Sequence, residues 1–208
     1  MSLKRRAFLI AVPAALGILL LAHPTDPPPG EAIRSLAGEE TRWLIVHVGL
    51  LIALPSLGLW IWLALDGVAN RTASLARVAI VFFVAFYTAF DALVGIATGV
   101  LVRETLSLTD DGTAAQLVEE WWAIPTPVWV FSALGPLSWL VTAGAAAIAH
   151  LRAGSGSAVV GGLAVAAPLF AFGHPTVAGP LAMVALVLAA IRLQPHSSDS
   201  ASEAFPAD

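Results

Sequence analysis

The sequence predicts an all-α membrane protein, a bundle of six transmembrane helices. Hydrophobic residues make up 58% of its 208 residues and charged residues only 12%. A soluble domain usually carries about 25% charged residues. The apolar residues are also gathered into six segments, and about 20 of them in a helix cross the hydrocarbon core of a bilayer.

The six segments differ in length. The second, third and fourth are long enough for full crossings, whereas the first, fifth and sixth are short, so the bilayer is expected to thin around them. One helix from Ala158 to Ile191 would be about 51 Å long, which is too long for a single crossing. Gly173-His174-Pro175 therefore marks a turn between two helices. In chain order the segments are Ala7–Ala22, Leu44–Leu65, Val78–Val102, Val128–Leu151, Ala158–Gly173 and Val177–Ile191.

The basic residues predict that both termini lie in the cytoplasm. This orientation places seven of the ten basic residues inside, as the positive-inside rule requires. Residues 1–193 then form a single membrane domain, followed by a polar, Ser-rich tail, 194–208, that is expected to be disordered. The preference for Arg, Ala, Gly and Pro suggests a bacterial protein, and hence a multi-pass protein of the bacterial plasma membrane. The seven inside residues are Lys4, Arg5, Arg6, Arg71, Arg77, Arg152 and Arg192.

The first segment has an alternative interpretation. MSLKRR followed by an apolar run is also typical of a secretory signal peptide. The run has no A-x-A cleavage motif before His23, and Pro13 interrupts it. We expect a retained helix, and cleavage of residues 1–22 stays open at this point.

Asp91 is the most informative residue of the chain. It lies in the third apolar segment, where a carboxylate costs at least about 2.5–3.5 kcal/mol on insertion scales. Thr88, Asp91, Gly95 and Thr98 recur at helical spacing, so they are expected to form one polar face that points into the bundle.

Two roles for Asp91 follow from its neighbours. It can bind a ligand or relay protons together with Tyr87 and Thr88. Alternatively, its carboxyl group is uncharged and structural, hydrogen bonded to Tyr87, Thr88 or Ser56.

Three histidines are predicted to lie in the outer half of the membrane. His23 and His174 each begin a His-Pro-Thr tripeptide at the outer end of a segment, and His47 lies one turn below Trp43. With Asp91, they form a candidate ligand set for zinc, copper or iron. Two histidines from different helices can instead bind haem. The alternative is that all three are ordinary boundary residues.

Depth argues against Asp91 as a direct ligand. Asp91 is about 16 Å below Val102 along a helix, whereas His47 is only about 6 Å below Trp43. Asp91 is therefore expected to lie deeper in the membrane than the histidines. It would then be a hydrogen-bond partner of a metal ligand, or it would belong to a separate site.

Several classes of protein are excluded or disfavoured. The chain has no Cys, which excludes thiolate metal sites and disulfides. Its only lysine, Lys4, is too near the terminus for a Schiff base within the membrane. It has no phosphate-binding loop, nucleophile elbow or row of arginines. The expected partners are the lipid bilayer and a membrane protein or a second copy of the chain, and nucleic acid is not expected.

Two resemblances follow from these motifs. The HPT at 23–25, the W-x-x-x-H from Trp43 to His47 and the stretch FYTAFDALVGIATGVLVRE from Phe86 to Glu104 resemble a group of uncharacterised bacterial multi-pass proteins. That likeness implies no activity. A looser similarity is to the membrane hydrolases of the alkaline ceramidase and progestin-receptor-like superfamily, which implies zinc held by three His and one Asp.

The leading functional hypothesis is a non-enzymatic membrane protein with a polar His/Asp site that opens to the outer face. This site would bind a ligand, a metal ion or a partner. One alternative is a metal-dependent hydrolase acting on lipid at the outer leaflet, with His23, His47, His174 and Asp91 as metal ligands. Another is a b-type haem protein.

Overall fold

A computed structural model describes residues 1–25, 32–108, 113, 116, 118, 120, 127–174 and 176–193 of the chain. The regular structure of these residues is entirely helical, with no strand, which confirms the predicted all-α class. The predicted polar tail, 194–208, lies outside the described residues.

Each of the six predicted apolar segments is helical. Three helical stretches are long and apolar enough to cross a membrane: Glu40–Ala64, Arg71–Thr105 and Val128–Arg152. The second of them contains a single π-helical turn, in which backbone pairing changes from i+4 to i+5. The elements are α1 (Leu3–Leu21), α2 (Ala32–Leu36), α3 (Glu40–Ala64), α4 (Arg71–Phe90), the π turn (Asp91–Ile96), α5 (Ala97–Leu108), α6 (Pro127–Arg152), α7 (Ser157–Gly173) and α8 (Ala178–Arg192).

The long helices form a closed ring. Helix α1 packs on α3, α3 on α4, α4 on α6, α6 on α7, α7 on α8, and α8 returns to α1. Arg5 donates hydrogen bonds to Asp66 and to the Leu63 carbonyl, so the start of α1 lies beside the end of α3. At the opposite end, Arg42 donates to the Ala22 carbonyl at 2.7 Å, so α1 and α3 are antiparallel. We call these two ends of the bundle the Arg end and the His end.

Two tryptophan side chains hydrogen bond to backbone carbonyls of neighbouring helices. Helix α1 continues through Pro13, which has no N–H to donate to the Leu9 carbonyl one turn earlier. The Trp60 indole of α3 donates to that carbonyl at 2.6 Å. Trp139 of α6 likewise donates to the Ala166 carbonyl of α7 at 3.1 Å. Trp60 and Trp139 are both fully buried, so these bonds lie inside the ring.

At the Arg end, Asn70 joins α4 to α6. Its side-chain oxygen accepts from the Ala73 N–H at 2.9 Å and thereby caps the first turn of α4. Its amide nitrogen donates to the Ala149 carbonyl near the end of α6, at 3.1 Å. One side chain therefore satisfies both helix ends and fixes them side by side.

The outer surface of the ring is apolar. Large hydrophobic side chains on every long helix are more than a third exposed, including Ile52 at 71%, Phe172 at 78% and Leu188 at 56%. Exposed apolar area on all sides of a bundle is typical of a protein surrounded by lipid.

The Trp60 bond gives the first testable prediction. Trp60→Phe should lower the free energy of unfolding in detergent by about 1–3 kcal/mol, because it leaves the Leu9 carbonyl buried without a donor. In a Pro13→Ala background, the new alanine supplies the missing N–H, and the same substitution should cost about 1 kcal/mol less. Trp62, which is 48% exposed, provides the control Trp62→Phe. Equal losses for Trp60→Phe in both backgrounds would contradict the assignment.

Candidate functional site

The four predicted site residues come from four different parts of the fold and lie near the His end. His23 follows the end of α1, and His47 lies in the second turn of α3. Asp91 is the first residue of the π turn, and His174 caps the end of α7. No single helix positions two of them, so the cluster depends on how the helices pack.

The structure brings the three imidazoles together. The ring centre of His23 lies 4.9 Å from that of His47 and 6.3 Å from that of His174, in both cases edge to face. His47 Nε2 lies 4.0 Å from Asp91 Oδ1. His23, His47 and Asp91 are only 8%, 6% and 4% exposed, so these three side chains lie inside the protein.

Backbone contacts determine the tautomers of two histidines. Nδ1 of His47 lies 2.8 Å from the Trp43 carbonyl, and Nδ1 of His23 contacts the Pro24 carbonyl. A carbonyl oxygen only accepts hydrogen bonds, so both Nδ1 atoms must carry hydrogen. In the neutral rings, Nε2 of each histidine therefore has a free lone pair. Metal-binding histidines in proteins are commonly oriented in this way.

The π turn provides the space for His47. The Trp43 indole donates to the Gly95 carbonyl at 2.7 Å, and the Trp43 ring lies 4.3 Å from the His47 ring. A Cβ on Gly95 would overlap the imidazole of His47. Glycine at position 95 is therefore required for α3 to approach this closely.

The predicted hydrogen bonds from Ser56 and Thr88 to Asp91 are not present in the structure. Ser56 is half-buried and donates to the Ile52 carbonyl of its own helix. Oγ1 of Thr88 and Oδ2 of Asp91 are buried with no hydrogen-bond partner in the described part of the chain. The ring of Tyr87 lies beside His174, with 5.3 Å between ring centres. Asp91 is thus associated with His47, and one of its carboxyl oxygens is left without a partner.

The predicted depth of Asp91 was wrong. Its 4.0 Å separation from His47 places the two side chains at the same level. Asp91 is 17 residues before the end of α5, whereas His47 is seven residues after the start of α3. Helix α5 therefore extends about 15 Å beyond the start of α3, and distance from a helix end does not measure depth here.

The cluster is not a preformed metal centre. Among the described residues, no three His, Cys, Asp or Glu side chains are close enough together to hold a metal ion. His23 is the common neighbour of the other two histidines, and Asp91 approaches only His47. Binding an ion would therefore require small side-chain movements.

The other described histidine has a different environment. His150 lies at the Arg end, fully buried, with Nδ1 2.9 Å from the Ser155 hydroxyl. This contact joins the end of α6 to the loop before α7. His150 is therefore separate from the cluster.

No protein-family model, curated protein or solved structure matches the chain. The resemblances inferred from the sequence motifs therefore remain expectations. The functional argument depends on the geometry of the cluster.

Sequence reasoning did not anticipate the role of Trp43 or the π turn. Trp43 is 2% exposed and forms one wall of the cluster. The one available signal was the recurrence of Gly95 and Gly99 after Asp91, because glycines at one-turn spacing let another helix approach. A Cβ on Gly99 would indeed contact Trp43 and Leu44.

The role of Gly95 gives the second prediction. Gly95→Ala should destabilise the protein by about 1–3 kcal/mol, because the new methyl group displaces the His47 ring. Gly144→Ala is the matched control, since a Cβ there has no atom within 4 Å. Thermal unfolding of both variants in detergent, with imidazole NMR signals as a probe of His47, measures the difference. Equal stability with unchanged imidazole signals would contradict the packing described.

Proposed function

We propose that this chain is an integral membrane protein that binds a divalent transition-metal ion at His23, His47, His174 and Asp91, near the outer face of the membrane. The observation that carries the proposal is the shared orientation of His23 and His47. Both use Nδ1 to donate to a backbone carbonyl, which leaves two Nε2 lone pairs inside one buried cluster.

The distances support a small ion. Two imidazoles bound to one tetrahedral ion, each with nitrogen at 2.0–2.1 Å, have ring centres about 5 Å apart. His23 and His47 are at 4.9 Å. The ring centre of His174 lies 6.3 Å from that of His23, and Oδ1 of Asp91 lies 4.0 Å from His47 Nε2, so both must move toward the ion to complete a three-histidine, one-carboxylate set.

The composition of the set supports zinc or a related ion. Imidazole suits zinc, copper, iron and nickel, and a single carboxylate beside three neutral histidines leaves an ion of charge +2 partly compensated. Such an ion would also compensate the buried carboxylate of Asp91, whose Oδ2 lacks a partner among the described residues.

The alternatives are less well supported. A haem between two axial histidines needs a flat slot wider than the cluster offers, because Trp43 packs at 4.3 Å on His47 and at 5.3 Å on His23. A metal-dependent lipid hydrolase would use the same four residues and a water on the ion. Metal binding is common to that activity and to a non-enzymatic role, so it is the function proposed.

The topology is part of the proposal. Six crossings with both termini in the cytoplasm put the Arg end inside and the His end outside. The apolar outer surface of α1, α7 and α8 supports crossings by these shorter helices, in addition to the three long apolar stretches. Seven of the ten basic residues then lie in the cytoplasm.

Single cysteines test the topology, since the chain has none of its own. Thr113→Cys should react with an impermeant maleimide in intact cells, and Gly156→Cys should react only after the cells are lysed. Gly156 has a φ of −59° and no atom within 4 Å of a Cβ, so cysteine fits there without strain, unlike at Gly154 with its φ of +72°. The reverse labelling pattern would contradict this orientation and place the His end in the cytoplasm.

Asparagine substitutions test the metal site. The amide nitrogen of Asn occupies the place of Nδ1, so His47→Asn and His23→Asn retain the bond to the backbone carbonyl but lose Nε2. We expect each to weaken cobalt(II) or zinc binding by about 100-fold or more, measured by titration of purified protein in detergent. His150→Asn, at the Arg end, is the matched control and should bind as the wild type does.

Three results would contradict the proposal. The first is a wild type that binds neither ion. The second is equal affinity in His47→Asn and His150→Asn. The third is a haem absorption band in the purified protein.

A further inference from the structure

A groove leads from the apolar surface of the bundle to His174. It encloses about 420 Å³ between α4, α6 and α7. Small-molecule pockets commonly measure about 300–1,000 Å³. Its walls are mainly apolar, with polar groups from Ser132, Tyr87 and His174.

Polarity changes along the groove. Ser132 lies near the start of α6 and His174 at the end of α7, so both are close to the His end. Leu140, at the other end of the groove, is eight residues or about 12 Å further along α6. The groove is therefore polar near the membrane surface and apolar toward the middle of the membrane. A membrane lipid has the same order, with ester or carboxyl oxygens at the boundary and hydrocarbon below.

The mouth of the groove faces the surroundings of the bundle. Leu137 is 55% exposed and Phe172 is 78% exposed, and both line it. Helix α6 is one of the three stretches long and apolar enough to cross a membrane. At this depth the molecules next to the protein are lipids.

We infer that this groove binds one hydrocarbon chain of a membrane lipid, with the carboxyl or ester oxygens of that lipid beside His174. A second depression of about 490 Å³ adjoins the groove at Leu140 and continues between α6 and α7 toward the Arg end. It is lined by small residues such as Gly144, Ala147 and Ala164, so a chain longer than the first groove has room to continue.

The inference rests on the proposed membrane location and names the ligand class for the same site. His174 lines the groove, and its ring centre lies 6.3 Å from that of His23. The polar end of a bound lipid therefore reaches the edge of the histidine cluster. An ion held there would have lipid oxygens as its nearest external ligands.

The bundle offers a matched control groove. A depression of about 410 Å³ between α3 and α4 is lined by Pro55, Gly58, Leu59, Trp62, Ile80, Val81, Val84 and Ala85. It has nearly the same volume but no histidine, serine or tyrosine. Ala133 in the first groove and Ala85 in the control groove are both exposed alanines, so Trp is accommodated at either position.

The test uses stearic acid carrying a nitroxide near its methyl end, added to purified full-length protein in detergent with a metal chelator. Electron paramagnetic resonance measures the immobilised fraction of the probe. Ala133→Trp fills the groove and should weaken probe binding by about tenfold or more, whereas Ala85→Trp should leave it unchanged. His47→Asn should also retain the probe, because the groove does not require the ion.

The outcomes separate this inference from the metal proposal. Equal immobilisation in Ala133→Trp and Ala85→Trp, or none in the wild type, overturns the lipid groove even if metal binding persists. If Ala133→Trp instead changes the oligomeric state in light scattering, the groove is an interface between copies and the inference is wrong. If His47→Asn loses metal binding but still immobilises the fatty-acid probe, the result supports both the metal site and the lipid groove.

Discussion

The contact between α3 and the π turn is the interaction on which the candidate site depends. Trp43 donates to the Gly95 carbonyl, and the His47 ring occupies the space that a side chain at position 95 would fill. This contact places His47 level with Asp91 and beside His23, with 4.9 Å between the two ring centres. Single π turns inside α-helices often occur at functional sites, because they interrupt backbone pairing and redirect side chains. Here the redirected side chain is Asp91, which is 4% exposed.

The same principle governs the polar groups of the whole interior. In hydrocarbon an unpaired carbonyl or N–H costs several kcal/mol, so each one must find a partner inside the protein. Trp60 satisfies the carbonyl that Pro13 leaves free, and Asn70 satisfies two helix ends at once. His23 and His47 follow this rule with Nδ1. Oδ2 of Asp91 has no such partner among the described residues, which sets this carboxyl group apart from the paired groups of the interior.

The sequence predicted the helices well and their relative positions less well. Uninterrupted apolar segments define helices whatever their neighbours, so all six segments are helical, although the helical stretch that contains the third begins seven residues before its predicted start. Closure of the ring by α8 against α1 depends on contacts between distant parts of the chain, which periodicity does not encode. The convergence of His23, His47 and His174 followed from topology, because histidines at the same end of antiparallel helices share a level. The level of Asp91 did not follow, because the extension of α5 beyond α3 and the π turn depend on packing.

A buried carboxylate in an apolar helix is costly, so its retention needs a compensating interaction. In the described part of the chain, the neighbour of Asp91 that can carry positive charge is His47, whose Nε2 lies 4.0 Å from Oδ1. That pair alone leaves Oδ2 of Asp91 without a partner among the described residues. A divalent ion shared by Asp91 and the imidazoles would compensate the negative charge of Asp91 and use the Nε2 lone pairs at once, with one positive charge left over. The groove that His174 lines would bring the oxygens of a bound lipid to the edge of this site.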